Sequence, residues 1–290
     1  MTGQQWLCLP AIVFFHIDRF AQGLRYMSRI DIRGLFSVAG KTVLVTGGAK
    51  GIGAMITRCL VAAGCRVLVA GRDRAAAARL NQELAENGGF EFIECDLARA
   101  GQVADLVRTV ESSCSQLDAL INNAGIFDAP PLGSVTEKDW SATMNLNLQS
   151  PFLLIQGLCP FLEKAGTADD PARIINIGSI GGILGKSFGG AYAYGCSKAA
   201  IHQLSRTLAS DLRARNINVN AIAPGFFPSD LTAGVIADAE VERAVLDSIP
   251  AHRFGSVEDV GGTAIYLISR ASAYLTGSVV ALDGGLMIAP

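Results

Sequence analysis

From Lys41 onward the chain alternates short β-branched apolar runs with longer stretches whose apolar positions recur every three or four residues. The short runs predict strands at 42–46, 66–70, 91–94, 119–122, 173–177, 218–222 and 279–282. The longer ones predict helices at 51–63, 74–86, 102–113, 137–162, 194–215 and 257–269. Runs such as "TVLVT" and "RIINI" are apolar at nearly every position, as strands covered on both sides must be. Repeated strand–helix alternation predicts an α/β fold, a single doubly wound Rossmann-type parallel sheet of about seven strands with helices on both faces. The domain is expected to span 36–290. Residues 1–35 do not share the pattern, and Met27 opens a second plausible start. Residues 1–35 are therefore expected to be a loosely ordered N-terminal extension.

Half of the residues are hydrophobic, enough to fill a sizeable core, which excludes general disorder. The 24 basic and 26 acidic residues nearly cancel, which argues against a nucleic-acid partner. No apolar run approaches the roughly 18 residues of a membrane span. The stretch 6–15 is interrupted by Pro10 and lacks a basic leader, so no signal peptide or membrane anchor is expected. Seven cysteines occur without a CxxC, and His16, His202 and His252 are scattered. Buried free thiols in the cytoplasm are expected rather than disulfides or a metal site.

The first strand–helix unit, "TVLVTGGAKGIGAMITRCLVAAG", places Gly47, Gly51 and Gly53 at the junction. A dinucleotide fold sets its pyrophosphate there, because only glycine lets phosphates approach the backbone amides and the positive helix end. The second strand ends on Gly71 and Arg72 instead of the carboxylate that usually accepts from an NAD ribose. With Lys50 in the glycine loop, two cations favour a ribose 2′-phosphate, hence NADP(H) over NAD(H). The alternative is a solvated Arg72, with Asp73 binding a plain ribose.

Tyr194 and Lys198 stand four residues apart on a helical pattern, stacked one turn from each other. A nearby ammonium favours the phenolate, so the pKa of Tyr194 is expected to fall toward the working range of a general acid–base. Ser179 follows the strand "RIINI" at the carboxyl edge of the sheet, as a substrate ligand or as a turn cap. Asn147 lies inside a helical stretch, where asparagine has poor propensity.

Taken together, "TGGAKGIG", "NNAG", Asn147, Ser179, "YGCSK", "NAIAPG" and "LDGG" resemble the short-chain dehydrogenase/reductase family, over about residues 36–290. The resemblance implies that Tyr194 exchanges a proton with the substrate oxygen and that Lys198 tunes it and holds the nicotinamide ribose. Ser179 would orient the carbonyl, and Asn147 would anchor a proton-supplying water chain. Gly47, Lys50, Gly51, Ile52 and Gly53 would cradle the phosphates. Asp96 with Leu97, and Asn123 with Ala124 and Gly125, would line the adenosine and the bend beside the cofactor. Pro224, Gly225 and Ser229 would lie against the carboxamide, serine standing where the family usually has threonine.

Within the family, "DDPARIINIGS" and "NVNAIAPGFFPS" are most similar to rhamnolipid-type 3-oxoacyl reductases, which use NADPH. The implied activity is reduction of a ketone, a 3-oxoacyl thioester, to a secondary alcohol. A polyol or sugar-acid (gluconate-type) dehydrogenase is the alternative, and a non-catalytic NADP-binding regulator is a further one, although it would not need Tyr194 and Lys198. Phe226, Phe227, Leu231, Val235, Ile236 and Val241 are read as an apolar substrate lid. The apolar helices at 137–162 and 194–215, with the family analogy, imply a homotetramer.

Overall fold

Val43 and Val45 point to one side of the first strand and Leu44 to the other, and all three are buried. The computed structural model describes residues 30–185, 189–229 and 232–288, apart from the Val235 side chain. Of the expected extension 1–35, residues 1–29 lie outside them. The chain divides into two units between Leu35 and Phe36. Of the first unit, the described part carries most of a one-turn helix, Ile32–Phe36, in which Asp31 accepts from the Gly34 amide at 3.0 Å.

In the second unit the strands are β1 (Thr42–Thr46), β2 (Arg66–Gly71), β3 (Glu91–Glu94), β4 (Ala119–Asn122), β5 (Ala172–Ile177), β6 (Ile217–Pro224) and β7 (Val279–Leu282). They form one parallel sheet in the order β3-β2-β1-β4-β5-β6-β7. The principal helices are α1 (Gly51–Ala62), α2 (Arg74–Glu83), α3 (Gln102–Ser113), α4 (Glu137–Met144), α5 (Ser150–Ala165), α6 (Tyr192–Leu212), α7 (Ala239–Ser248) and α8 (Val257–Ile268). Val43, Val45, Val67 and Val69 pack with Ile56 and Leu60 of α1 and Val260 and Leu267 of α8. Leu44, Leu68, Leu120 and Ile174 pack on the opposite face with Leu106 of α3 and Leu154 and Leu158 of α5. Each such side chain contributes on the order of 1.5–3 kcal/mol by leaving water. The doubly wound sheet expected from the apolar runs is the fold observed.

The stretch 137–162 does not form one helix. A π-helical turn, Asn145–Gln149, separates α4 from α5. The Ser150 hydroxyl ties this turn down, donating toward Leu97 O at 2.8 Å and Asn145 O at 3.0 Å. An added residue in a helix is almost invisible to apolar periodicity, yet it re-aims the side chains that follow. A buried relay fixes α6 to the sheet: Asn122 Nδ2 donates to Asn176 Oδ1 at 2.8 Å, and Asn176 Nδ2 donates to Ser205 Oγ at 2.9 Å.

At the opposite end of β5, Arg173 is only 1% exposed. Its guanidinium donates to Leu267 O at 3.1 Å and Ser269 O at 2.9 Å, the carbonyls that close α8, and to Asp170 at 3.2 Å. Asp170 also pairs with Lys41 at 2.7 Å. Removing one member of a buried charged network leaves the others unpaired. Arg173→Ala is therefore expected to lower unfolding stability by about 3–5 kcal/mol, measured by urea denaturation. A loss below about 1 kcal/mol would contradict the clamp.

Candidate active site

β1 lies between β2 and β4, and the connections leaving β1 and β4 run to opposite sides, so a crevice opens at the carboxyl edge of the sheet. Gly47 and Gly51 there adopt positive φ of 64° and 49°. A Cβ on Gly53 would overlap the Gly47 carbonyl, and one on Gly47 would stand 3.1 Å from Ala124 Cα. The Thr46 hydroxyl accepts from the Asn123 and Ala124 amides, both at 3.0 Å, and Asn123 Nδ2 donates to Thr46 O at 2.9 Å and Gly47 O at 3.1 Å. The loops after β1 and β4 are thus laced together. α1 starts at Gly51 behind Lys50 with no side-chain cap, so its first-turn amides and positive dipole end face the crevice. Ile52 turns the other way, partly buried against the core.

At the end of β2 the expected pair of cations is present, but carboxylates accompany them. Lys50 Nζ lies 2.6 Å from Asp73, and Arg72 lies 3.9 Å from Asp96, which also pairs with Arg99 at 3.2 Å. Asp73 caps α2 by accepting from Ala76 N at 2.8 Å, and the Lys50 hydrogen bond followed by that amide holds its carboxyl below the usual range. The reading of cations without acids is corrected to ion pairs, because cap and lysine meet at the same carboxylate. Leu97 is buried in the α3–α5 layer, with only its carbonyl engaged, by Ser150.

The catalytic candidates converge on the same edge. Asn147 sits in the π turn, where Oδ1 accepts from Ile126 N at 2.9 Å and Nδ2 donates to Ile126 O at 2.9 Å and Ser197 Oγ at 3.1 Å. Ser197 Oγ in turn donates to Tyr194 O at 2.7 Å. Gly125 is the point of closest approach: a Cβ there would lie 3.1 Å from Asn147 Oδ1 and 3.7 Å from Lys198 Nζ. Lys198, 5% exposed, donates to Ile177 O at 2.7 Å, and burial lowers its pKa to about 8. The Ser179 hydroxyl accepts from Gly181 N at 3.0 Å, capping a short turn, and lies toward the Tyr194 phenol. Of the two roles considered for Ser179, the turn cap is the one observed.

Tyr194 corrects the expectation of a lowered pKa. Burial raises it, and the hydrogen bond with Ser179 only partly opposes this. The Lys198 ammonium lies 5.6 Å from the centre of the ring and is committed to the Ile177 carbonyl. At neutral pH the phenol keeps its proton, which is the state a proton donor needs. Phe127 packs edge-on against it, with ring centroids 5.0 Å apart.

On the far side, β6 ends at Pro224, and a Cβ on Gly225 would lie 2.9 Å from Asp283 Cα. Ser229 lies against the glycine loop, since a Cβ on Gly51 would stand 3.2 Å from its Cβ. Thr232 supplies a threonine hydroxyl beside it: Ser229 N donates to Thr232 Oγ1 at 2.9 Å. Of the lid residues, Phe227 is a core side chain beneath Gly255, because its place is already filled by packing. Phe226 lies with its ring tilted toward Phe254, centroids 6.5 Å apart, while Ile236 and Val241 are exposed. Leu231 and the Val235 side chain lie outside the described residues. Among the described residues no group of three or more His, Cys, Asp or Glu side chains could hold a metal ion.

A family model described as "Enoyl-(Acyl carrier protein) reductase" matches residues 47–287. The chain belongs to the short-chain dehydrogenase/reductase family, and it is an oxidoreductase. It is 44% identical over 252 residues, 86% of this chain and 97% of the relative, to the rhamnolipids biosynthesis 3-oxoacyl-[acyl-carrier-protein] reductase of Pseudomonas aeruginosa. It is 36% identical over 256 residues, 86% of this chain and 96% of the relative, to the 2-dehydro-3-deoxy-D-gluconate 5-dehydrogenase of Bacillus subtilis. Among solved structures, the Pseudomonas aeruginosa RhlG/NADP active-site complex aligns with a TM-score of 0.84 at 43% identity, covering 87% of this chain and 98% of that one.

Sequence reasoning missed Thr46, which joins the two loops, as well as Phe127, Ser197, Thr232 and His202. Only the position of Thr46 at a strand end next to glycines carried a signal. In carbon-labelled NMR of the ligand-free protein, Tyr194 is expected to titrate above the ordinary tyrosine range near 10, and Lys198 at about 8. A Tyr194 value below the ordinary range would contradict the burial argument.

Proposed function

We propose that the protein reduces a ketone, a 3-oxoacyl thioester, to the secondary alcohol with NADPH. The observation that carries this reading is the convergence of Ser179, Tyr194 and Lys198 on the sheet edge that also holds the glycine cradle. The residues present fit a dinucleotide: side chains at Gly47 and Gly53 would collide with the loops that shape the cradle, and the uncapped α1 terminus suits a pyrophosphate. Gly47, Lys50, Gly51, Ile52 and Gly53 would hold the phosphates. Arg72, with Lys50, would meet the 2′-phosphate, which competes with Asp96 and Asp73 for these cations. Asp96, Leu97, Asn123, Ala124 and Gly125 would line the adenosine and the bend beside it. Pro224, Gly225 and Ser229 would line the carboxamide side. NADPH supplies the hydride when bound.

The chain's own residues do the rest. The Ser179 hydroxyl orients the carbonyl oxygen, and Tyr194 donates its proton to that oxygen as negative charge develops. Lys198 places a positive charge under the phenol and a donor toward the ribose. Asn147, held by both backbone groups of Ile126, fixes the π turn beside Lys198 and anchors the water that resupplies the proton.

The similarity to a gluconate-type dehydrogenase favours a sugar acid as the second reading. A panel of 3-oxoacyl thioesters and ketogluconates, followed at the nicotinamide absorbance band, separates the two. The thioesters are expected to turn over faster, and Tyr194→Phe is expected to cut kcat by about 10²–10⁴-fold while NADPH still binds. Faster ketogluconate reduction would overturn the substrate assignment, and unchanged turnover in Tyr194→Phe would overturn the mechanism and favour a regulator.

The reading extends to a cytoplasmic homotetramer. The described cysteines are free thiols, in keeping with a reducing compartment. No described helix is long and apolar enough to cross a membrane. Phe152 and Leu153 on α5 are 41% and 40% exposed, which supports an interface. α6 shows no large exposed hydrophobic side chain, so Trp140 of α4, 39% exposed, and the two α5 residues carry the apolar argument. Light scattering is expected to give four times the chain mass at micromolar concentration, and a monomer would contradict the assembly.

A further inference from the structure

Tyr194, Lys198 and His202 are spaced four residues apart on α6, so they share one helix face. The catalytic reading uses the first two. His202 is 3% exposed and lies beneath the turn that follows β5. Its Nε2 accepts from the Ser179 backbone N–H at 3.4 Å. An accepting Nε2 carries a lone pair, which places the proton of the neutral ring on Nδ1. Burial, and then the positive charges of Lys198 and Arg206, lower its pKa to about 4, so the ring stays neutral and can accept.

The backbone is shaped around this imidazole. A Cβ on Gly178 would overlap Nε2, so only glycine lets the ring reach the turn. Gly178 N is itself held by Ile222 O at 2.7 Å. Two successive residues of the α6 face therefore grip the end of β5: Lys198 donates to Ile177 O at 2.7 Å, and His202 accepts from Ser179 N. The Ser179 hydroxyl is fixed from the other side by Gly181 N at 3.0 Å. A neutral acceptor is suited to this place, because a cation would repel Lys198 and a carboxylate would draw its ammonium away from Ile177 O.

We propose that His202 is a positioning residue for carbonyl reduction: by accepting from the Ser179 N–H it sets the turn that aims the Ser179 hydroxyl at the substrate oxygen and at Tyr194. This rests on the reading of Ser179 and Tyr194 as the groups that receive a ketone. It assigns to an interior histidine, which touches neither substrate nor cofactor, part of the geometry of the reaction.

The test compares His202→Leu, which fills the space without an acceptor, with His202→Gln, whose Oε1 can replace Nε2. Steady-state reduction of a 3-oxoacyl thioester and NADPH binding by fluorescence are measured on both. His202→Leu is expected to lose about 10–100-fold in kcat, the scale of a small misplacement of a reacting group. The dissociation constant for NADPH should stay within about twofold, and His202→Gln should recover most of the rate. Wild-type kcat in His202→Leu, or equal loss in both variants, overturns the proposal.

If His202→Leu does not fold, long-range nitrogen–proton NMR of the wild-type protein decides. The Nδ1–H tautomer is expected, and the Nε2–H tautomer overturns the proposal. A wild-type protein that reduces neither thioesters nor other ketones with NADPH refutes the proposed function itself. An active wild type indifferent to His202 refutes only the positioning role.

Discussion

The loops that leave β1 and β4 approach each other more closely than side chains on their glycines would allow, and the Thr46 hydroxyl holds them there. It accepts from two consecutive amides of the second loop while Asn123 returns a donor to two carbonyls of the first. Each such bond contributes only about 0.5–1.5 kcal/mol, but together they allow one arrangement of the crevice. From that seam the chain runs through Ala124 to Gly125, where the missing Cβ admits Asn147 and Lys198. The glycine loop proposed to cradle the phosphates and the residues proposed to transfer the proton are thereby set in register by backbone geometry rather than by charge.

Burial then decides which groups carry protons. Lys198 loses basicity on entering the protein, His202 is held neutral, and the Tyr194 phenol is raised, with desolvation the largest cause in all three cases. Desolvation favours the uncharged forms, so the site presents a neutral phenol donor beside a neutral imidazole acceptor. Lys198 alone changes charge near physiological pH. A phenol that keeps its proton suits donation to a carbonyl oxygen better than withdrawal of a proton from an alcohol.

The sheet was legible because its strands are covered on both faces. β1, β3, β4 and β7 end where the apolar runs end, and β6 runs one residue earlier and two later because its flanking Ile217, Ala223 and Pro224 are also buried. The glycine loop, Ser179, Tyr194 and Lys198 were legible because their spacing is dictated by the chemistry. The π turn was not, since one inserted residue shifts helical phase without changing which residues are apolar. The ion pairs at the end of β2 join residues 23 and 24 positions apart in sequence, Lys50 to Asp73 and Arg72 to Asp96, so spacing does not reveal them. His202 looks like any interior helix residue until the fold brings Gly178 against it.

In the proposed function one crevice holds both the coenzyme and the carbonyl, with Tyr194 and Ser179 meeting the same oxygen. A crystal structure with NADPH and an unreactive 3-oxoacyl thioester analogue tests this most directly. The account predicts the pyrophosphate on the α1 terminus and the carbonyl oxygen within about 2.6–3.2 Å of both hydroxyls. A coenzyme bound away from the glycine loop, or a carbonyl that reaches neither Tyr194 nor Ser179, would contradict it.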